Sequence, residues 1–166
     1  MTLDTRHYIF LDIDGVLATD NERYYLNVKK YDQELNVYGF DKKCVKVFNE
    51  ICAKINPIII LSSDWQHHFT IKQINDFFER QGITHKISDV TGTAYGDKFT
   101  NLSQLEECRA YDIVQYAKKH GIKKYLAIDD LNLSHWLDDY FIHTPRANEG
   151  IKQSGIKDKI LSKLLK

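Results

Sequence analysis

The chain has 166 residues, a length that suggests one domain, and its 43% hydrophobic content can fill a core, which excludes global disorder. Lys plus Arg and Asp plus Glu both number 23, so the formal net charge is +0; a global basic footprint for nucleic acid is absent, which leaves room only for a local basic groove. No apolar stretch approaches transmembrane length, and Met1-Thr2-Leu3-Asp4-Thr5-Arg6 lacks a signal-peptide pattern. Cys44, Cys52 and Cys108 are odd in number and form no Cys-x-x-Cys pair, so they read as core or free thiols in a reducing compartment, and a cytoplasmic protein is expected. No repeat or low-complexity tract interrupts residues 1–166, which are expected to form one domain.

The first strong signal is Tyr8-Ile9-Phe10-Leu11-Asp12-Ile13-Asp14-Gly15-Val16-Leu17. An apolar run rich in aromatic and β-branched residues reads as a buried strand. It ends in two carboxylates, which are costly at such a place unless a cation or chemistry needs them. Alternation along an extended chain would send Asp12 and Asp14 to opposite sides, so the chain must turn after Asp12 if both are to face one site. Gly15 is placed to permit that turn. A calcium loop of the EF-hand type is a poor match, because Gly15 comes too early.

Residues 18–40 carry Tyr24, Tyr25, Tyr31 and Tyr38 with Lys29 and Lys30 between them, and no helical period runs through them. Leu35-Asn36-Val37-Tyr38-Gly39 reads as half of a hairpin. The segment is too short for an independent domain. Its tyrosines and lysines could stack on bases and hold phosphates, although packing of the segment onto the body is the plainer reading for any single tyrosine.

Asp41 is placed to cap a helix to about Ile55, with Cys44, Val45, Phe48, Ile51, Cys52 and Ile55 on its core face. Pro57-Ile58-Ile59-Ile60-Leu61 is a second buried strand, ending at Ser62-Ser63-Asp64-Trp65, where hydroxyls and backbone N–H groups suit phosphate binding. Thr70 to Gln73 forms a capping box for a helix that ends at Gly82 and buries Ile71, Ile74, Phe77 and Phe78. His67 and His68 just before it read as surface residues. Residues 86–91 read as a short strand and residues 92–100 as a loop. The next helix begins either at the Ser103–Glu106 capping-box pattern or near Arg109, and stops at Gly121.

Lys124-Tyr125-Leu126-Ala127-Ile128-Asp129-Asp130 is again a buried strand ending in acids, and adjacent carboxylates call for a metal or another cation. Residues 140–143 read as one more strand. Ile156, Ile160, Leu161 and Leu164 mark the buried face of a terminal helix, with lysines on its solvated face. Apolar strands alternating with amphipathic helices predict an α/β sandwich with a central parallel sheet.

The Asp-x-Asp-Gly-Val-Leu run resembles the first motif of the haloacid dehalogenase (HAD) superfamily of phosphohydrolases. Ser62 resembles its second motif, Arg109 its third by position with Lys98 as competitor, and Asp129-Asp130 its fourth. Closer still is the resemblance to compact HAD domains that also occur in bacterial RNA-repair proteins, carried by Phe40-Asp41, Ser62-Ser63-Asp64-Trp65-Gln66, Arg109-Ala110-Tyr111-Asp112-Ile113 and Asp129-Asp130. Gln66 replaces an Arg of that pattern and Asp112 a Glu.

The resemblance implies a Rossmann-like three-layer α/β/α sandwich with a small flap, residues 18–40, in place of a cap domain. It implies that Asp12 is a nucleophile forming an aspartyl phosphate and that Asp14 is the acid, then the base. Ser62 and Arg109 would complete the catalytic set, with Ser63 and Lys98 binding substrate. Mg²⁺ would be held by Asp12, the Asp14 backbone carbonyl and one of Asp129 and Asp130, with Asp130 preferred as direct ligand. The expected substrate is a phosphorylated nucleic-acid end, a nucleotide or a small phosphate ester. The rival reading is a non-catalytic Mg²⁺- and phosphate-binding interaction module.

Overall fold

The computed structural model describes residues 5–19, 31–93 and 101–166. Five parallel strands form the central sheet: β1 (Tyr8–Leu11), β4 (Ile58–Leu61), β5 (Ile87–Val90), β6 (Tyr125–Asp129) and β7 (Phe141–His143), in the spatial order β5-β4-β1-β6-β7. Two short strands, β2 (Tyr31–Asp32) and β3 (Val37–Tyr38), pair antiparallel as a separate hairpin. The helices are α1 (Lys42–Ile55), α2 (Ile71–Arg80), α3 (Leu102–Lys119), α4 (Ser134–Leu137) and α5 (Ile156–Leu164).

Side-chain alternation along the strands separates two cores. Ile9 and Leu11 of β1 point to one face and pack with Phe48 and Ile51 of α1, Phe77 and Phe78 of α2, and Ile160 of α5. Tyr8 and Phe10 point to the other face and pack with Ala110, Ile113 and Ala117 of α3 and Leu137 of α4. A strand buried on both sides needs apolar residues at every position, which is why β1 reads as a continuous apolar run. The result is the α/β sandwich with a central parallel sheet that the residue pattern predicts, in the three-layer α/β/α form that the resemblance implies. No helix among the described residues is long and apolar enough to cross a membrane.

Most element ends follow local chemistry. Thr70 accepts from Gln73 N at 3.1 Å while Gln73 reaches back to Thr70 N at 2.9 Å, so the expected capping box is formed. The start of α3 differs from both expected positions. Asn101 is the cap, accepting from Gln104 N at 3.0 Å, and the helix begins at Leu102 rather than at Ser103 or near Arg109. Asn is as good a cap as Ser, and the earlier start adds a first turn ahead of the buried Arg109.

The expected half-hairpin is present, and its partner strand is Tyr31–Asp32. The hairpin is fastened to α2. Arg80 Nε donates to Asp32 at 2.9 Å, Arg80 also lies 3.0 Å from Glu34, and Phe40 N donates to Gln81 Oε1 at 2.7 Å. Tyr24, Tyr25, Lys29 and Lys30 lie outside the described residues. Cys44 and Cys52 lie on the buried stripe of α1, where burial pushes their thiols up to about 11 and about 12.

Asp41 is the junction between this frame and the first loop. Its carboxylate caps α1 through Lys43 N at 2.8 Å, accepts from Thr19 Oγ1 at 3.1 Å and is paired with Lys152. Its own N–H donates to Leu17 O at 3.0 Å. Burial pushes this carboxyl up, but the hydrogen bond and charge of Lys152 outweigh it and hold it below the usual carboxylate range. Removing one partner of a buried pair leaves the other uncompensated, so Asp41→Ala should destabilise the protein by about 2–4 kcal/mol in urea unfolding, with Asp41→Asn, which can still cap, costing less.

Candidate active site

Register alone brings the acidic strand ends together. Leu11 of β1 pairs with Leu61 of β4 on one side and with Ile128 of β6 on the other. The next residues are Asp12, Ser62 and Asp129, so they stand level at the carboxyl ends of three adjacent strands. Asp12 N donates to Ile128 O at 3.0 Å and Ser62 N to Leu11 O at 2.9 Å, which locks that level. The chain leaves β1 towards β4 and β5 and returns to β6 and β7 on the other side. β1 is therefore the switch point of the sheet, where open α/β folds bind ligands.

Three carboxylates converge there. One oxygen each from Asp12, Asp129 and Asp130 lies within 4.8 Å of the others, a spacing that suits a small divalent cation with oxygen ligands. Asp12 and Asp129 are buried and Asp130 is half-buried. Burial, and then the charge of Asp129, raises the Asp12 carboxyl well above the usual range, against the pull of Arg109. Burial likewise pushes Asp129 up to about 6, again against Arg109.

Arg109, on the first half of α3, is the protein's own answer to part of this charge. Its Nη1 lies 2.8 Å from Asp129 and 3.4 Å from Asp12, and its Nη2 lies 3.1 Å from Asp64. Burial disfavours the guanidinium charge, but Asp129, Asp12 and Asp64 more than offset it and raise its pKa. It is buried among these acids, not paired at the surface with Glu106 or Glu107. Among the described residues one cation stands against three clustered carboxylates, an excess of negative charge that fits a metal ion to this place.

The two adjacent acids have different surroundings. Asp129 uses one oxygen for Arg109 and the other to accept from Leu131 N at 2.9 Å. Asp130 lies over Gly15: a Cβ at position 15 would fall within 2.6 Å of Asp130 Cβ and Cγ. Gly15 also has φ +74°, in the left-handed region. The turn there closes through Gly15 N to Ala18 O at 2.8 Å and Ala18 N to Ile13 O at 3.0 Å, so the chain bends right after Asp12 and Ile13.

Asp14 stands outside the cluster. It is exposed, and its Oδ2 accepts from Trp65 Nε1 at 3.1 Å. Ser62 is wholly buried, and its hydroxyl has no hydrogen-bond partner among the described residues. A buried hydroxyl left unpaired is costly, and a ligand oxygen would satisfy it. Ser63 is occupied locally, its Oγ accepting from Trp65 N at 3.4 Å at the head of a short turn. Lys98 lies outside the described residues. Gln66 ties this turn to the loop after β5 through Gly92 N at 2.9 Å.

Two members of the site were not singled out by sequence reasoning as functional. Asp64 looks like ordinary turn chemistry until Arg109 is seen to hold it. Trp65 looks like a core aromatic until its N–H is seen on Asp14. The signal for Asp64 was its position directly after a strand that ends in serine; Trp65 stood in addition in the Ser-Ser-x-Trp stretch that carries the resemblance.

A parallel sheet with an acidic cluster at its switch point defines a Rossmann-like α/β domain of the HAD type. The model of the family described as the HAD domain in Swiss Army Knife RNA repair proteins matches residues 8–154, and the chain belongs to that family. Comparison with curated proteins and with solved structures found no match.

Two outcomes follow from this geometry. Asp12 and Asp129 bind protons more readily folded than unfolded, so the metal-free protein should lose stability as pH rises from about 4 towards about 6 and beyond. Thermal melts should give a lower Tm at about pH 7.5 than at about pH 5, and a divalent cation that binds the three carboxylates would close the gap. Gly15→Ala should displace Asp130 and weaken the binding of a divalent cation at the three carboxylates by about tenfold or more in calorimetric titration, with a stability loss of only ~1–3 kcal/mol from the positive φ.

Proposed function

We propose that the protein is a Mg²⁺-dependent phosphomonoesterase that works through an aspartyl phosphate on Asp12. The observation that carries this reading is the position of Asp12. It is a buried carboxylate at the end of the central strand, beside two further carboxylates, a guanidinium and an unpaired serine hydroxyl.

Asp12, Asp130 and the Asp14 backbone carbonyl would hold Mg²⁺, with Asp129 oriented beside them by Arg109. Both oxygens of Asp129 already have protein partners, which favours Asp130 as the direct ligand. Bound there, Mg²⁺ supplies positive charge that keeps Asp12 ionised and offsets charge on the phosphoryl oxygens. Asp12 attacks phosphorus in line; the Asp12–phosphorus bond forms as the bond to the leaving oxygen breaks. Asp14 gives its proton to that leaving oxygen. It then takes a proton from water, the water oxygen displaces Asp12 from phosphorus, and inorganic phosphate departs. Ser62 donates to a phosphoryl oxygen and Arg109 offsets its charge.

The exposed Asp14 suits proton exchange with bulk water, and residues 18–40 are too few to make an independent cap domain. Together with the RNA-repair context in the family's description, this favours a phosphorylated nucleic-acid end. The three cysteines, none of them in a disulfide, suit a reducing cytoplasm.

Mg²⁺-dependent phosphate release from an aryl phosphate, mononucleotides, and 3′- and 5′-phosphorylated oligonucleotides tests the proposal. Asp12→Asn should abolish release, by at least about 10³-fold, while Tm is kept or raised because one buried charge is gone. Release by Asp12→Asn would remove Asp12 as nucleophile. Silence of the wild type on every ester, with Mg²⁺ bound, would favour the binding-module reading.

A further inference from the structure

We propose that the groove between the β2–β3 hairpin and the turn at residues 64–69 is the leaving-group subsite, and that it takes one planar ring, the base of the nucleoside that carries the phosphate. The assignment rests on the phosphatase reading for its place in the reaction, but most of its residues play no part in that chemistry.

The groove has a volume of about 440 Å³ and is lined by Val37, Tyr38 and Gly39 from the hairpin and by Trp65, His68 and Phe69 from the turn. That volume lies within the ~300–1,000 Å³ of ordinary small-molecule sites. Asp14, the proposed proton donor to the leaving oxygen, is at its edge, so whatever departs with that oxygen must lie in or beside the groove.

Its walls are aromatic and held in place. Trp65 is buried at 8% exposure, packs against Phe69 at 5.4 Å and Phe77 at 5.6 Å between ring centroids, and is fixed to Asp14 through Nε1. Tyr38 is half-exposed and rests edge-on against Tyr31 at 5.3 Å. His68 is exposed beside Phe69. Across the groove from the turn, the hairpin is fastened to α2 by Arg80, so the opening is formed before any ligand arrives.

Charge narrows the ligand further. Among the described residues no Lys or Arg lines the groove, whereas the carboxylates of Asp14 and Asp64 do. A second phosphate placed there would meet like charge, and a sugar alone would leave the aromatic walls unused. A neutral ring with polar edges suits both the walls and the carboxylates, and every nucleobase offers such a face.

The test uses the full chain with Trp136→Phe, which leaves Trp65 as the single tryptophan reporter. Titration with adenosine and uridine should give saturable changes in Trp65 fluorescence, while ribose and inorganic pyrophosphate give none over the same range. Tyr38→Ala and His68→Ala, each in that background, should weaken nucleoside binding by about tenfold, the usual scale of lost base–aromatic stacking. In turnover, each should lower the ratio of kcat/KM for a nucleoside monophosphate to that for glycerol phosphate by about tenfold. Nucleosides binding no better than ribose, or an unchanged ratio in both variants, would overturn the subsite. Phosphate release with no nucleoside binding would overturn the subsite alone. Nucleoside binding with no phosphate release from any ester would overturn the phosphatase reading and leave the groove as a nucleoside site.

Discussion

The arrangement depends on the mutual repulsion of carboxylates that the sheet register forces together. β1, β4 and β6 are level at Leu11, Leu61 and Ile128, so the residues after them cannot avoid one another. Two of the three positions carry acid, and Asp130 adds a third carboxylate. Hydrophobic packing fixes the strands too firmly for the acids to separate. The charge must therefore be answered by another group, and α3 delivers Arg109 to answer part of it.

Arg109 also organises what lies beyond the sheet. The guanidinium that neutralises Asp129 and Asp12 with one nitrogen holds Asp64 with the other. Asp64 opens the short turn whose next residue, Trp65, donates to Asp14. A continuous polar path thus runs from the last residue of β6, through α3, to the turn after β4 and back to the loop after β1. The same turn carries His68 and Phe69, and Trp65 lies against Phe40, just after the β2–β3 hairpin, at 5.8 Å between ring centroids. Charge balance at the strand ends and the shape of the aromatic groove are set by one set of contacts, and a shift of Arg109 would be felt at both.

The fold was legible wherever local chemistry determines it. Continuous apolar runs marked β1, β4 and β6 because strands buried on both faces need them. Asp41 and the Thr70 capping box marked two helix starts because those bonds close within three residues. The start of α3 was read at Ser103 or near Arg109 and lies at neither, because Asn101, a residue as competent to cap as Ser103, takes the N–H of Gln104 instead. In the candidate site, the acids and Ser62 were visible as polar breaks in apolar runs. The partners of Arg109 were not visible, since Asp129, Asp12 and Asp64 lie 20, 97 and 45 residues away from it in the chain and only the closed sheet brings them near. Trp65 was hidden for a related reason: its ring packs in the core while it also lines the groove, and its N–H meets an acid 51 residues away in the chain.

The contrast between Asp129 and Asp130 shows why a repeated acid is not redundant. Asp129 ends β6 and is oriented by Arg109 and by the N–H of Leu131, so its carboxylate is spent within the protein. Asp130 begins the loop and sits where Gly15 leaves space. Its backbone carbonyl, 2.9 Å from His143 Nε2, fixes the base of its side chain. Thr144 Oγ1 donates to Gly15 O at 3.0 Å, which binds the two loops to the same edge of β7. Gly15 is therefore constrained twice, by a backbone conformation that disfavours a side chain and by a carboxylate that occupies the place of one. The glycine after the first pair of acids and the second acid of the last pair are parts of a single fit, 115 residues apart in the chain.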